Sequence, residues 1–381
     1  MEKICDKSKC TGCSACVNSC PQNAINMIKD ENGFMQISID ESRCIDCKLC
    51  KSICPILNKK NCNSINKCYV GYAMENKYLE HSSSGGIFTV VAEKILLDNG
   101  VVIGASFENN KLNHILIKSV EELNKLQGSK YLQSNLGNIF KVVKENIKNK
   151  KVLFVGTPCQ VAGLKAFLKK SNDNLITIDL FCHGVPSPKL FDKYVEELEK
   201  NNNDKLINYD FRDKSTGWDT YSNKAIFRDK EIKQLHNDND YMNLFLSDVT
   251  LRESCYDCCF KLGNKYSDIT LGDFWGVKNY YPEMYNKNGV SAVIINTDKG
   301  TSIWSDICDK LEYKNCRLEE IINGNPSLVK SAVLTKQRKF FFSDIDNYSI
   351  KKLIEKYKKR IPLKLKIISK LRKIKSKIKN A

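Results

Sequence analysis

The 381-residue chain contains no run of eighteen or more apolar residues, so no membrane-spanning helix is expected. Its opening, MEKICDKSKC, has no apolar core, which argues against a secretory signal and for a cytoplasmic setting. No G-x-G-x-x-G follows the first strand candidate, so a nicotinamide-dinucleotide site of the doubly wound type is not supported. No nucleic-acid-binding motif is visible and no basic patch accompanies the body of the chain, so nucleic acid is not an expected partner. Acidic residues nearly vanish at one end: residues 351–381 hold fourteen Lys or Arg against the single Glu355. That segment supplies thirteen of the seventeen net positive charges, so the basic character belongs to the tail.

Cysteine is what the chain has in excess. Eighteen cysteines in a cytosolic protein read as metal ligands and not as a disulfide framework. CTGCSACVNSCP (10–21) and CIDCKLCKSICP (44–55) are one pattern, C-x2-C-x2-C-x3-C-P, written twice with an offset of 34 residues. In such a pattern three thiolates from a tight loop face one cluster, and the fourth leaves on a helix to reach the other. The spacing assigns Cys10, Cys13, Cys16 and Cys54 to one [4Fe–4S] cluster, and Cys44, Cys47, Cys50 and Cys20 to a second. Pro21 and Pro55 turn the chain after the fourth ligand. Structural zinc is the alternative, but zinc sites pair two cysteines with two more at a distance, unlike this doubled run. Residues 1–58 resemble a bacterial-type two-cluster ferredoxin. Cys5 stands outside the pattern and reads as an idle buried thiol.

After a polar linker at 59–68, residues 69–340 alternate short apolar strands with amphipathic helices. Strands are predicted at Tyr69–Ala73, Val101–Phe107, Val152–Gly156, Leu175–Phe181, Asp268–Gly272 and Ala292–Asn296, and helices at about 85–98, 135–148, 158–170 and 188–200. The alternation predicts an α/β body with a mostly parallel sheet. Residues 206–230 read as a hairpin or small β insertion. Cys159 follows the strand KVLFVG and Cys182 follows LITIDLF, at the carboxyl ends of neighbouring strands, where open α/β sheets bind ligands. Cys255 and Cys258 form a C-x2-C pair. Four thiolates from three loops could hold one more cluster, and buried packing cysteines stand beside that as the plain alternative. Cys259 competes with Cys258; Cys308 and Cys316 read as packing residues, and Cys62 and Cys68 as linker residues without a role.

A set of motifs spans about 70–280 in fixed order: SSSGGIFT (82–89), GSKYLQS (128–134), VGTPCQVAGL (155–164), FCHGVPSP (181–188), CYDC (255–258) and SDITLGDFWG (267–276). Together they resemble the beta-subunit family of coenzyme F420 hydrogenases and dehydrogenases. The resemblance implies FAD and a [4Fe–4S] cluster on Cys159, Cys182, Cys255 and Cys258, beyond the two clusters of residues 1–58. It implies flavin contacts from Ser84, Gly85 and Gly86, from Ser129, Lys130, Tyr131 and Gln133, and from Thr157 and Pro158. Read without it, SSSGG is a serine N-cap before a packing glycine, or a phosphate cradle at a helix start. Lys130 and Tyr131 would then be a solvated loop, and Asp273 and Trp275 a turn aspartate and a core tryptophan. His183, alone on a loop, reads as structural, and no catalytic residue is singled out.

The expected architecture is therefore an α+β ferredoxin-like 2[4Fe–4S] domain (1–58), a larger α/β flavin-binding domain (69–340) and a basic C-terminal helix (351–381). The resemblance implies an iron–sulfur flavoprotein oxidoreductase that moves electrons between a hydride carrier, such as coenzyme F420, and one-electron carriers such as ferredoxin. The alternative is an electron-transfer subunit of a partner oxidoreductase, or a ferredoxin-dependent reductase of another metabolite. In the tail, Ile367, Leu371, Ile374 and Ile378 form one helical stripe among basic residues. Such a helix suits peripheral contact with an anionic membrane, with a solvated tail as the alternative.

Overall fold

The computed structural model describes residues 4–59, 65, 67–263 and 265–359. Of the basic segment, the helix Ile350–Tyr357 is described; the stripe from Ile367 to Ile378 lies outside the described residues. In chain order the strands are β1 (Ile25–Lys29), β2 (Met35–Ile39), β3 (Lys67–Ala73), β4 (Val101–Glu108), β5 (Lys111–Ile117), β6 (Val152–Gly156), β7 (Leu175–Leu180), β8 (Asn208–Asp213), β9 (Ser222–Ile226), β10 (Glu231–Leu235), β11 (Ile269–Asp273), β12 (Ser291–Ile295) and β13 (Leu311–Asn315).

The N-terminal unit joins the β1–β2 hairpin to two short helices, Ala15–Ser19 and Leu49–Ser52. The sequence echo is repeated in the backbone. Gly12 and Asp46 both have positive φ (68° and 48°), and so do Ser14 and Lys48 (58° and 57°), each pair 34 residues apart. These left-handed residues bend each cysteine loop tightly enough for three side chains to face inward.

The body is built on an eight-stranded mixed sheet in the order β13–β3–β12–β11–β7–β6–β4–β5. Its centre, β4–β6–β7–β11, is parallel, as the alternation of strands and helices requires. The outer pairings, β13–β3, β3–β12, β12–β11 and β4–β5, are antiparallel. The expected mostly parallel sheet is thus parallel at its middle and extended at both edges by antiparallel strands. Two of these strands, β5 and β13, had no counterpart among the sequence candidates. The β4–β5 turn carries Asn109 and Asn110 with φ of 51° and 58°, the hairpin chemistry that sequence reading passed over. β3 begins at Lys67, so Cys68 is a buried strand residue and not part of a linker. The 206–230 insertion is a hairpin with a third strand: β8, β9 and β10 form a separate antiparallel sheet.

One face of the large sheet is covered by the helix Ile87–Leu97, whose Val90, Val91 and Ile95 are buried against Ile176, Ile178 and Val293. On the other face, the helices Ile139–Asn146 and Pro158–Leu168 form a core with Val101, Phe154 and Leu175. Ala15 and Ile53 of the N-terminal unit belong to that same core. The unit is therefore packed into the body and not merely tethered to it. Gly163 is one point of close approach: a Cβ there would lie 2.9 Å from Cys13 Cβ and 3.0 Å from its Sγ.

This contact sets a first prediction. Alanine within a helix normally gains about 0.5–1 kcal/mol over glycine. At Gly163 the added methyl meets backbone-anchored atoms, so G163A is expected to lose stability, by roughly 1–3 kcal/mol as overpacked sites do. Thermal unfolding of the variant beside the wild-type chain tests this; an unchanged or raised Tm would show that the contact is loose.

Candidate cofactor site

A cavity of about 500 Å³ opens at the carboxyl ends of the central strands. Gly156 of β6, Leu180 of β7 and Leu271 to Asp273 of β11 line it. This is where the topology of an open α/β sheet leaves room for a ligand, and the volume suits a cofactor-sized molecule. Cys159, Cys182, Cys255 and Cys258 all line the same cavity, whereas Cys259 does not.

Each of these cysteines is placed by a local structural cause. Thr157 caps the helix Pro158–Leu168 through a capping box with Gln160, and Pro158 takes the first helical position. Cys159 therefore sits in the first turn, where the helix dipole favours negative charge. Its Sγ lies 3.2 Å from Thr157 Oγ1. Cys182 follows β7 directly, and Cys255 closes a short 3-10 turn, Glu253–Cys255. The Cys258 N–H donates to Ser331 Oγ at 3.1 Å.

Burial, with the neighbouring thiol Cys182 adding to it, pushes Cys159 well above the ordinary thiol range. Burial and Cys182 also push Cys255 up to about 12. Cys182 is raised by burial too, although the Lys261 and Lys265 ammonium groups oppose the rise. Buried thiols that couple to one another resist ionising by themselves, and a cationic centre among them would deprotonate them. This donor set fits a thiolate-bound cluster. Among the described residues, no group of three His, Cys, Asp or Glu is placed to hold a single metal ion.

The N-terminal cysteines fall into two groups. One small cavity is lined by Cys10, Cys13, Cys16 and Cys54, and another by Cys20, Cys44, Cys47 and Cys50. These are the sets that the crossed spacing assigns. Cys5, read as idle, lines the first cavity as well, and burial with Cys54 beside it pushes its thiol up to about 12.

The residues carried over as flavin contacts also line the large cavity: Ser84, Gly86, Ser129, Lys130, Tyr131, Gln133, Thr157 and Pro158. Gly85 lies just behind the wall. Its N–H donates to Ser291 Oγ at 2.9 Å, and a Cβ on it would meet Gly71 O at 2.6 Å. Gly86 enters the helix Ile87–Leu97 at φ 78°, so the first turn of that helix faces the cavity with N–H groups that have no partner within the helix. Several of these polar atoms are engaged inside the protein. Ser84 Oγ donates to Val290 O at 2.9 Å, and the Ser129 N–H donates to Ser83 Oγ at 2.5 Å. Gln133 turns to the N-terminal unit and donates to Thr11 O at 2.9 Å. Tyr131 packs on Phe245, with ring centroids 5.6 Å apart.

Lys130 is not a solvated loop residue. Its Nζ donates to Leu126 O at 2.9 Å and Gln127 O at 2.7 Å, and burial lowers its pKa to about 7. Lys261 is held in the same way, by Cys182 O (2.9 Å) and Ser327 O (2.6 Å). Arg252 donates to two carbonyls and an amide oxygen. These hydrogen bonds join three cavity-lining basic side chains to dipoles and not to carboxylates, and the charges of Lys261 and Arg252 leave the cavity positive.

Sequence reasoning missed Arg212. It lines the wall, pairs with Asp273 at 2.6 and 3.0 Å, and lies over the rings of Tyr221 and Trp275 at 4.7 and 5.2 Å. Asp273 also accepts from Trp218 Nε1 at 2.7 Å, and Trp218 stacks on Trp275. Asp273 is thus a half-buried anchor of the wall and Trp275 part of its surface. His183 lines the cavity too, and its Nε2 donates to Asp248 Oδ1 at 2.7 Å. His114, also missed, lines the cavity; burial lowers its pKa to about 4, and its Nδ1 lies 2.7 Å from Ser134 Oγ.

Three stretches of the chain match described sequence families. Residues 9–58 match the 4Fe-4S dicluster domain. Residues 68–141 match the N-terminus, and residues 149–320 the C terminus, of the coenzyme F420 hydrogenase/dehydrogenase beta subunit. An uncharacterized protein of Methanocaldococcus jannaschii is 25% identical over 224 residues, covering 48% of this chain. The match spans 61% of that relative's length, so the chain covers about three fifths of it. A chain of the F420-reducing [NiFe] hydrogenase complex from Methanosarcina barkeri overlays with a TM-score of 0.48 and 19% identity, over 78% of this chain and 94% of that one.

The Lys130 environment sets a second prediction. The folded chain releases this proton near pH 7, whereas an unfolded lysine holds it to about 10.5. Between those values the unfolded state binds the extra proton, so this group's contribution to stability rises with pH, by up to about 1.4 kcal/mol per pH unit. Denaturant unfolding of wild type and K130M from pH 7 to 10 should show that rise in the wild type and its loss in the variant. Parallel curves would refute the assignment.

Proposed function

The chain belongs to the coenzyme F420 hydrogenase/dehydrogenase beta-subunit family and carries a 4Fe-4S dicluster domain, and from that premise we propose that it is an iron–sulfur flavoprotein oxidoreductase. It would move electrons between a hydride carrier of the coenzyme F420 type and one-electron carriers. The observation that carries this reading is a convergence: residues of the SSSGG and GSKYLQS loops, the TPC loop with its Cys159, and Cys182, Cys255 and Cys258 from two further loops all line one cavity.

On this reading FAD is held between the helix start at Gly86, the Ser129–Gln133 loop and the Thr157–Pro158 turn, with the cavity's cations facing its phosphates. A bound flavin supplies the exchange between a hydride and single electrons. Cys159, Cys182, Cys255 and Cys258 hold a third cluster, beyond one on Cys10, Cys13, Cys16 and Cys54 and one on Cys20, Cys44, Cys47 and Cys50. Lys261 and Lys265 favour the charged form of Cys182, and Thr157 supports Cys159. Lys130 Nζ, poised near neutrality, can hold or release a proton at the cavity wall.

A second reading, in which the chain feeds electrons to a partner oxidoreductase subunit, is favoured by the outer cysteine group. Cys47 is exposed, and Ile45 beside it is 61% exposed.

Anaerobic purification with iron, sulfide and flavin analysis tests the proposal. The expected content is about twelve irons, about four per cluster, with FAD. C159S should lose about four of them and keep the rest. A chain with full N-terminal iron that binds no flavin would refute the flavoenzyme reading. Bleaching of the flavin by reduced coenzyme F420 supports the first reading, and bleaching by reduced ferredoxin alone supports the second.

A further inference from the structure

Arg252 stands three residues before Cys255 and is 2% exposed. Its backbone belongs to the body: its N–H donates to Val185 O, and its carbonyl accepts from the Cys255 N–H, both at 2.9 Å. Its guanidinium belongs to the N-terminal unit. Nε donates to Cys10 O at 2.8 Å, one terminal nitrogen to Met35 O at 2.8 Å, and the other to Gln133 Oε1 at 3.1 Å. Gln133 in turn donates to Thr11 O. The loop they grip is shaped for them. Gly12 has φ 68°, and a Cβ there would lie 2.9 Å from Gln133 Nε2 and 3.3 Å from Arg252 Cζ. One side chain therefore connects the turn that carries Cys255 to the peptide of Cys10.

We propose that Arg252 is a positioning residue for electron passage, locking the separation between the cysteine group Cys159/Cys182/Cys255/Cys258 and the group Cys10/Cys13/Cys16/Cys54. The inference rests on the functional reading above and adds to it the junction that couples the two halves. Electron passage between two centres falls steeply with distance, so the join must be stiff. A planar guanidinium with divergent donors fixes three acceptors at once, whereas the ammonium of a lysine is a point charge on a flexible stem. Arg252 has no carboxylate among its hydrogen-bond partners. Its charge is therefore available to the negative thiolates on either side, and it already favours the charged form of Cys255. A second brace acts on the same loop through Gly163 and Cys13. Removing the arginine should accordingly loosen the join without detaching the unit.

The test uses the full chain as wild type, R252K and R252M, each reconstituted anaerobically with iron, sulfide and FAD. Iron content, low-temperature EPR of the fully reduced protein, and the rate at which dithionite-reduced clusters bleach the flavin are measured. R252M should keep its iron but lose the magnetic interaction between the two cluster signals. Its internal transfer rate should fall about tenfold or more, as displaced reacting groups do, with R252K between. An unchanged rate and EPR spectrum at full iron content would overturn the proposal. So would loss of the Cys10-group iron in both variants, which would make Arg252 a support of the ligand loop alone. A wild-type chain lacking flavin or the third cluster is recognised by its own analysis, and it removes the functional reading together with this one.

Discussion

The arrangement depends on one helix, Pro158–Leu168, doing two things four residues apart. Its second residue is Cys159, on the wall of the large cavity. Gly163, one turn further on, is a point at which Cys13 of the N-terminal unit packs against the body. With a rise of about 1.5 Å per residue, the two positions are separated by only about 6 Å along the axis. The capping box at Thr157 fixes where the helix begins and so where Cys159 points; the absent side chain at Gly163 fixes how close the unit can come. Neither feature is costly alone. Together they make the spacing between two cysteine groups a property of a rigid element and not of the linker at 59–66.

Electrostatics explains why so many cations surround a cavity rich in cysteine. Burying a thiol favours its neutral form, and the raised values at Cys159, Cys182 and Cys255 record that cost. Burying an ammonium or guanidinium is costly in the same way unless it is hydrogen-bonded. Lys261 and Arg252 are satisfied by oxygens that carry no net charge, so their own charge is not cancelled. Arg212 and Lys265 are matched instead by Asp273 and Asp179. The wall thus separates cations that hold the scaffold together from cations that remain available to an anionic occupant. On the proposed reading, the second class is what a flavin pyrophosphate and a thiolate-bound cluster require.

Much of this was legible because it repeats or is local. The 34-residue echo of the cysteine motif reappears in the positive φ of Gly12 and Asp46 and of Ser14 and Lys48, since tight loops of one spacing have few ways to fold. The central parallel strands were readable from unbroken apolar runs. The edges were not. β5 alternates and β13 is mostly exposed, so both look like loop sequence until a neighbour pairs with them. The cavity's cations were legible as residue types but not as partners. Lys130 looks like a solvated lysine until its carbonyl acceptors fold around it. Arg212 finds Asp273 across 61 residues, and Arg252 finds Cys10 across 242. Gln133, expected to contact a flavin, spends its amide on Thr11 and Arg252. The motif was read as a ligand loop when it is also a joint.

That joint orders the three cysteine groups in space. The group at the cavity is half-buried, and Cys159 adjoins, through its helix, the group containing Cys13. Cys10, Cys16 and Cys54 of that second group are buried. The third group ends at the surface, with Cys47 exposed. On the proposed reading, hydride chemistry and one-electron exchange therefore occur at opposite ends of one molecule. The cavity end is mostly apolar and positive, so charge in it is less screened than at the surface. The far end exposes Cys47 with Ile45 nearby, as brief contact with another redox protein needs. Substrate choice would then be set by the wall of Arg212, Tyr221 and Trp275, and partner choice by the Cys44–Cys50 loop. Either could change without disturbing the buried join between them, because neither contributes a hydrogen bond to Arg252.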